Sequence, residues 1–480
     1  MRDLKPLSWV GIILGVGIVL YFSYSHFQYF GNVSLLGGIM LLELMIACIW
    51  KYDQRFFVLL IVAFVWAGLH IPLQGAWTGG RWAVLAAGAV VGFIVWTRAQ
   101  RRPFRSIHLI AFFCVCAAFV SATVSPFVRM ASLKALSLSL LFLYCATGAR
   151  SAVFGRENRF FQGVLLGVEL MVYGTTVCYF LGMGIWGNPN SMGAVMSIAC
   201  FPFLLWGWLN SDGPIVKGRR LVALLLCVYL IRSSLARAGM VSALVVVLVF
   251  CICLGQYKLL GRIAAFVLVL VALTGMLMPG TLDRQLGELK DAFLYKGHKE
   301  EGVLGSRRTP WDKTVATIKE HPWFGTGYGT SPSGTDPGSE FGAFLPVGGT
   351  LASTGDTERE HGSSYMTIAE WVGLLGVFPF VALVAVTVAN VWKVCAWVKR
   401  TADPRPYAIP LAMVVLSGLV HANFEDWLFA AGSYLALFFW VCGFVLADMV
   451  ADAVAVPAPS AVSRVFHPLP ASIGAVVSNR

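Results

Sequence analysis

Two kinds of side chain in this sequence could carry chemistry near the membrane: the guanidinium groups of Arg237, Arg307 and Arg308, and the imidazole of His361. Guanidinium groups form paired, charge-assisted hydrogen bonds with phosphate oxygens. A histidine at an aqueous mouth can take a proton from a sugar hydroxyl near neutral pH, although a loop histidine can also be a solvated polar residue. These residue types indicate chemistry on a substrate that bears phosphate.

Arg307 and Arg308 come directly before a segment with helix signals. Thr309 can cap this segment, Pro310 suits its first helical position, and His321 with the following proline ends it. Two arginines at the positive end of a helix dipole form a good anion site. A pair of solvated loop cations is the alternative, and the residues alone leave it open.

Arg232 and Arg237 lie where two short apolar runs meet, on the side of the membrane that the positive-inside rule makes unfavourable for basic residues. Snorkelling to lipid headgroups is the ordinary explanation. Arg237 is the better candidate for an anion site because it begins a helix that continues into the membrane, so its guanidinium is held at the mouth. Arg232 is a candidate supporting residue.

Three other polar segments lie on the same predicted outer face. The turn from Asn188 to Ser191, which includes the candidate supporting residue Asn190, has the pattern of a helix cap. The glycines of segment 325–329 could turn backbone N–H groups toward a phosphate, but they more often form a tight turn. His421, with the two acidic residues at 425 and 426, forms a further polar cluster.

Carboxylates inside membrane spans are costly and need partners. Glu370 lies about two and a half turns inside the apolar segment that follows His361, so it is a candidate supporting residue of the site. For Glu43 and Glu169 we expect a helix-to-helix hydrogen bond made by a neutral acid.

Membrane helices must position these residues. Hydrophobic residues make up 58% of the 480 positions and charged residues 12%, with a mean hydropathy of +0.75. Soluble domains have roughly 45–50% apolar and about 25% charged residues, so a soluble enzyme is excluded. Stretches long enough to cross a hydrocarbon core of ~30 Å occur about fourteen times. The predicted fold is an all-α polytopic membrane protein with about 12–14 transmembrane helices and one long outer loop that contains short helices.

The basic residues define the predicted topology because they gather on every second connection, as cytoplasmic loops require. The net charge of +12 follows from this pattern, so nucleic acid is not a predicted partner. Five basic residues remain on short outer connections: Arg81, Arg129, Lys134, Arg232 and Arg237. The predicted divisions are an N-terminal transmembrane bundle (1–278), an outer loop (279–364), C-terminal transmembrane helices (365–450) and a disordered cytoplasmic tail (451–480).

The sequence predicts no metal and no cofactor. All eleven cysteines lie in or beside the spans, which gives neither a disulfide framework nor a thiolate metal site. No D-x-D pair occurs, and Glu358 with Glu360 beside His361 is expected to be a solvated loop segment rather than a metal site. Motifs of nucleotide hydrolysis, serine hydrolysis and zinc proteolysis are also missing from the sequence.

The order of these motifs resembles the O-antigen ligase family of membrane glycosyltransferases. The resemblance lies in N-P-N-S at 188–191, the segment Ala236–Gly239, the segment 307–327 that begins R-x-x-x-W and ends P-x-x-G-x-G, and His361 with Glu370 nine residues later. This sequence has Ala236 where the family usually has serine and Gly362 where it usually has asparagine.

The resemblance implies a donor glycan linked to undecaprenyl diphosphate and a reaction on the periplasmic face of the bacterial inner membrane. Arg237 and Arg307, with Arg308 beside them, would hold the diphosphate, and His361 would assist the acceptor hydroxyl. The acceptor would be lipid A–core sugar for an O-antigen ligase, or a second lipid-linked glycan for an O-antigen or exopolysaccharide polymerase. A polytopic transporter or flippase, and a metal-dependent transferase that uses Glu358 and Glu360, are the other hypotheses.

Overall fold

Apolar segments become helices in lipid because only a helix satisfies every backbone polar group within one segment. The computed structural model describes residues 54–70, 74–99, 103–258, 305–330, 361–401 and 406–455, with a few isolated residues. All regular elements in these ranges are helical, which confirms the all-α polytopic membrane fold. They are α1 Gln54–Gly68, α2 Gln74–Ala99, α3 Ser106–Val124, α4 Val128–Val153, α5 Glu157–Phe180, α6 Pro189–Leu209, α7 Pro214–Ser233, α8 Arg237–Cys253, α9 Gly305–Glu320, α10 Ser364–Thr401, α11 Ala408–His421 and α12 Tyr434–Ala455.

Every predicted span that falls within the described ranges coincides with one of these helices. Among the described residues, seven helices are long and apolar enough to cross a membrane: α2 to α6, α10 and α12. The predicted spans near 8–24, 35–50 and 263–278 lie wholly or mostly outside the described residues, as does Glu43. Helix α12 continues to Ala455, so the first residues of the predicted tail are helical.

Close packing through glycines brings the starts of α6 and α8 together. A Cβ atom on Gly193 would lie 2.5 Å from that of Ala236, and one on Gly239 would lie 3.0 Å from the Gly193 carbonyl oxygen. Small residues allow membrane helices this close approach. The cap predicted for α6 is confirmed, because the Asn188 side chain accepts a hydrogen bond from the backbone N–H of Asn190 at 2.9 Å.

Two of the basic residues on the predicted outer connections have structural roles. Arg81 donates from Nη1 to the carbonyl oxygen of Gly432 at 2.8 Å. Lys134 donates from Nζ to the carbonyl oxygen of Gly329 at 2.7 Å. Arg81 therefore holds the segment between α11 and α12, and Lys134 holds the segment that follows α9.

Ion pairs at the opposite ends of the helices tie the bundle together. Arg150 of α4 forms a paired interaction with Asp448 of α12, and the two side chains are 2% and 0% exposed. Glu169 lies 2.9 Å from Nε of Arg219 and 3.5 Å from Nε of Arg220, so an arginine contact stands where we expected a hydrogen bond made by a neutral acid. Arg219 is a residue of α7, and α7 packs against α5.

Helix α10 breaks at Gly373, whose φ is +65°. The break frees the carbonyl oxygens of Glu370 and Trp371, which accept hydrogen bonds from the N–H groups of Thr326 and Gly327 at 3.0 and 3.2 Å. The glycine segment 325–329 is thus a turn that completes a broken helix, and these two donors do not face a phosphate.

Gly325 offers a test of this packing. Its φ is +74°, and a Cβ atom would overlap the carbonyl oxygens of Glu370 and Trp371. Gly182 has a similar φ of +70° with open space around it, so it is a matched control for the backbone strain alone. We expect Gly325→Ala to lower the free energy of unfolding by about 1–3 kcal/mol more than Gly182→Ala, which is the usual cost of overpacking. Equal melting temperatures of the two variants in detergent would contradict the packing.

Candidate active site

His361 lies just before α10, between two carboxylates. Its Nδ1 is 3.3 Å from Oδ2 of Asp426, and its Nε2 is 3.3 Å from Oε1 of Glu370. The backbone N–H of His361 also donates to the Asp426 carboxylate at 3.1 Å. The rings of His361 and Trp371 pack nearly perpendicular to each other, with 5.9 Å between their centroids. The imidazole is therefore fixed in position and both of its nitrogens face acidic groups.

Burial and charge act against each other on this histidine. Burial lowers the pKa of His361, but its hydrogen bonds with Asp426 and Glu370 and their negative charges outweigh burial, so the pKa is raised above its ordinary value of 6.5. Burial raises the pKa of Asp426, but hydrogen bonds from the His361 ring and backbone outweigh it, so that pKa is lowered. His361 is thus a stronger base than an ordinary histidine, and its neutral form, which can accept a proton, is present above the raised pKa.

Ser364, the first residue of α10, positions the loop that carries Asp426. Its N–H donates to the carbonyl oxygen of Ala422 at 2.9 Å, and its hydroxyl donates to that of Glu425 at 2.6 Å. The same hydroxyl accepts a hydrogen bond from the N–H of Leu428 at 3.1 Å. The α11–α12 loop is therefore attached to the start of α10, only three residues after His361.

Arg307 reaches this loop from α9. Its Nη2 donates to Oε1 of Glu425 at 2.6 Å, and the two side chains are 14% and 22% exposed. A Cβ atom on Gly362 would lie 3.2 Å from Cδ of Arg307, and the φ of Gly362 is +72°. Asparagine tolerates this left-handed conformation better than most residues, which accounts physically for asparagine or glycine after the histidine.

Arg237 and His421 complete the cluster around Arg307. The positive charge of Arg307 acts on both of them. The turn before Arg237 contains Leu235 in the left-handed region at φ +51°, a strained backbone for a branched side chain. His421 is buried, and its Nδ1 accepts a hydrogen bond from Nε1 of Trp427 at 3.0 Å.

The structure brings Arg237, Arg307, His361 and Glu370 to this cluster, but it leaves Arg308 outside. The Arg308 side chain is 82% exposed and lies 4.0 Å from Asp312, a residue of the same helix. The predicted start of the helix was wrong: α9 begins at Gly305, so both arginines are already helical and point to different sides. Pro310 is the sixth residue of α9 and lies within its first two turns. Its missing backbone N–H costs one hydrogen bond in addition to the N–H groups that every helix start leaves without a partner in the helix.

Arg232 is exposed at the end of α7, and Asn190 serves the cap of α6 through its backbone. Sequence reasoning gave no role to Asp426 or Glu425, although it noted them as an outer acidic pair near His421. The signal that could have found them is the position of two adjacent carboxylates directly after an apolar helix. Glu358 and Glu360 lie outside the described residues.

The pair of His361 and Asp426 predicts a pH window for stability. The raised pKa of His361 gives a stabilisation that is complete below 6.5 and is lost as pH rises through the raised pKa. The lowered pKa of Asp426 gives a stabilisation that is complete above 3.8 and is lost as pH falls through the lowered pKa. We expect the drop in melting temperature caused by Asp426→Asn to be largest between pH 3.8 and 6.5. A drop that stays constant up to alkaline pH would contradict the ion pair.

Comparison with known proteins agrees with the motifs. Residues 221–349 match the family model described as O-Antigen ligase, which confirms the family resemblance. This range includes Arg237 and Arg307, whereas His361, Glu370 and Asp426 follow it in the chain. The match supports a membrane glycosyltransferase of the O-antigen ligase or polymerase type in general terms. No curated protein matches the chain.

Proposed function

We propose that this chain transfers a glycan from undecaprenyl diphosphate to a sugar hydroxyl on the periplasmic face of the bacterial inner membrane, with lipid A–core as the acceptor. The observation that carries this proposal is the position of His361 between Asp426 and Glu370, beside a pair of arginines, in a chain whose middle part matches the O-antigen ligase family. Polymerisation onto a second lipid-linked glycan is the alternative within the same chemistry.

Arg237 and Arg307 would bind the diphosphate of the donor. A lipid diphosphate already stores the energy for transfer, so the protein needs to supply positive charge and positioning rather than a nucleotide. Guanidinium groups can neutralise the charge that develops on the departing diphosphate without a metal. Arg307 is held at 2.6 Å by Glu425 in this structure, and a phosphate oxygen would take the place of that carboxylate oxygen.

His361 would accept the proton of the acceptor hydroxyl. The O–H bond breaks as the hydroxyl oxygen forms a bond to the anomeric carbon, and the electron pair of the old C–O bond leaves with the diphosphate. One direct displacement of this kind inverts the configuration at the anomeric carbon. Asp426 is 31% exposed whereas His361 is 2% exposed, which favours approach of the acceptor from the side of Asp426.

The distribution of charge supports the proposed periplasmic orientation. Helix α10 begins beside His361 and ends at Lys399 and Arg400, so the candidate site and a basic helix end lie at opposite ends of one span. By the positive-inside rule, the basic end and both termini would lie in the cytoplasm. The lipid bilayer is a proposed partner as well, because it would hold the polyisoprenyl tail of the donor, which needs an apolar path between helices.

The test is transfer by purified protein in detergent. Undecaprenyl-diphosphate glycan is incubated with either core lipid or a second donor molecule, and the lengthened product is identified. Lengthening of the core lipid is expected for a ligase, and lengthening of the lipid-linked glycan would indicate a polymerase instead. No transfer in either reaction, or activity that a chelator removes and Mg²⁺ or Mn²⁺ restores, would contradict the proposed arginine chemistry.

A transporter or flippase is less well supported. Such proteins place charged residues and helix breaks near the bilayer midplane, along the path of the substrate. Here Arg237, Arg307 and His361 all lie at helix starts, at one end of the bundle.

A further inference from the structure

Asp426, His361 and Glu370 form a line of three groups that passes from the surface into the protein. Their side chains are 31%, 2% and 0% exposed, in that order. Each neighbouring pair is joined by a contact of 3.3 Å through one nitrogen of the imidazole. The line thus connects an accessible carboxylate to one that is sealed from water.

Glu370 is fixed in place by the backbone as well as by the imidazole. Its carbonyl oxygen accepts hydrogen bonds from the N–H and the hydroxyl of Thr326, at 3.0 and 3.4 Å. It stands three residues before the break at Gly373, where the glycine turn packs against the helix. A carboxylate without water in a span is costly, and one so firmly positioned beside a titratable ring is a candidate for proton chemistry.

We propose that Glu370 receives the proton of the acceptor hydroxyl through the His361 ring, so that the three groups act as a proton relay. This inference rests on the proposed function of His361 as the base. The relay starts from the neutral ring with its proton on Nε2. The hydroxyl proton passes by way of the Asp426 carboxylate to Nδ1, while the proton on Nε2 moves to the carboxylate of Glu370. The imidazole ends neutral, as it began, and Glu370 ends as the neutral acid until the proton returns to water after product leaves.

The geometry favours Glu370 over water as the receiver. The ring is almost fully enclosed, and its Nε2 faces the Glu370 carboxylate. A proton leaving the inner nitrogen therefore meets Glu370 first. Among the described residues, Glu370 of α10 and Asp426 of the α11–α12 loop contact the ring. Glu425 of the same loop pairs with Arg307 of α9, whose charge acts on His421 of α11 and Arg237 of α8.

The test is the pH profile of transfer by Glu370→Gln, which keeps the size and hydrogen-bonding capacity of the side chain but cannot take a proton. We expect the plateau rate to fall about 10²-fold, the scale of general acid–base catalysis, with the KM for the lipid donor unchanged. Removal of the negative charge also makes His361 easier to deprotonate, so the acidic limb of the profile should move to lower pH.

Two other variants complete the experiment. Glu370→Asp keeps a carboxylate at a longer distance, so we expect a higher plateau rate than for the glutamine variant and a smaller shift of the acidic limb in the same direction. Glu169→Gln is the matched control, because it removes another buried span carboxylate, one that pairs with Arg219 and Arg220 instead of an imidazole. Its acidic limb should coincide with that of the unchanged protein.

Two results for Glu370→Gln would overturn the relay and leave Glu370 a packing partner. One is a plateau rate within about threefold of the unchanged protein, a small margin against the ~10²-fold scale of acid–base catalysis. The other is an unmoved acidic limb. If the glutamine variant does not fold, an unmoved acidic limb in Glu370→Asp overturns it equally. Failure of the proposed function is distinguishable, because the unchanged protein would then show no transfer, or His361→Ala would retain transfer, whatever the result at Glu370.

Discussion

His361→Ala is expected to lower the rate of glycan transfer at least about 10²-fold, because the variant loses the group that accepts the hydroxyl proton. Binding of the lipid donor should persist, since Arg237 and Arg307 remain. The rate is measured with purified protein at saturating donor and acceptor, and donor binding is measured separately by titration.

His321→Ala is the matched control for this prediction. His321 follows the last residue of α9, and its side chain is exposed, so its removal should leave the transfer rate within about twofold of the unchanged protein, the small effect expected of a surface substitution. Near-normal transfer by the His361 variant would reject the role of His361 as the base. Loss of donor binding in that variant would also contradict it, because it would indicate a collapsed site.

Arg307→Ala should cause a loss of similar size, about 10²-fold or more, since one guanidinium near a developing charge contributes on this scale. The variant also removes the arginine that pairs with the carboxylate of Glu425. The negative charge of that carboxylate then acts against the diphosphate that should bind there. Arg307→Lys is expected to recover little, because an ammonium cannot form the paired hydrogen bonds of a guanidinium. The measurement is the transfer rate together with donor affinity.

The same helix supplies the controls for Arg307. Lys313→Ala removes an exposed cation of α9, and we expect almost no effect on transfer. Arg308→Ala tests the neighbouring arginine that the sequence grouped with Arg307 but that the structure leaves in solvent, and its effect should be much smaller than that of Arg307. Equal losses at 307, 308 and 313 would indicate a general effect of positive charge instead of a specific diphosphate site.

The helices were predictable because length and apolarity alone decide whether a segment can cross lipid. Within the described ranges the predicted spans and the observed helices agree closely. The start of α9 was not predictable from Pro310, because proline is tolerated near a helix start as well as at it. The earlier start of α9 matters because it makes both Arg307 and Arg308 helical, so that their side chains point to different sides of the helix.

The partners of the site residues depend on tertiary contacts that spacing does not encode. Glu370 is nine residues from His361, and its position in an apolar segment already indicated a buried partner. Asp426 is far away in sequence and reaches the imidazole through tertiary contacts, among them those by which Ser364 attaches the α11–α12 loop to α10. The break at Gly373 likewise needs the glycine turn of a distant loop to satisfy its carbonyl groups.

The orientation of the site in the membrane is the claim on which the donor, the acceptor and the topology all depend. It can be tested by labelling single introduced cysteines with a membrane-impermeant maleimide in cells whose outer membrane has been opened. Lys313→Cys on α9 reports the side of the candidate site, Lys399→Cys reports the other end of α10, and the unmodified chain gives the background from native cysteines. We predict that Lys313→Cys is labelled in intact inner membranes and Lys399→Cys only after permeabilisation. The reverse pattern would put the arginine and histidine cluster in the cytosol and contradict the proposed function.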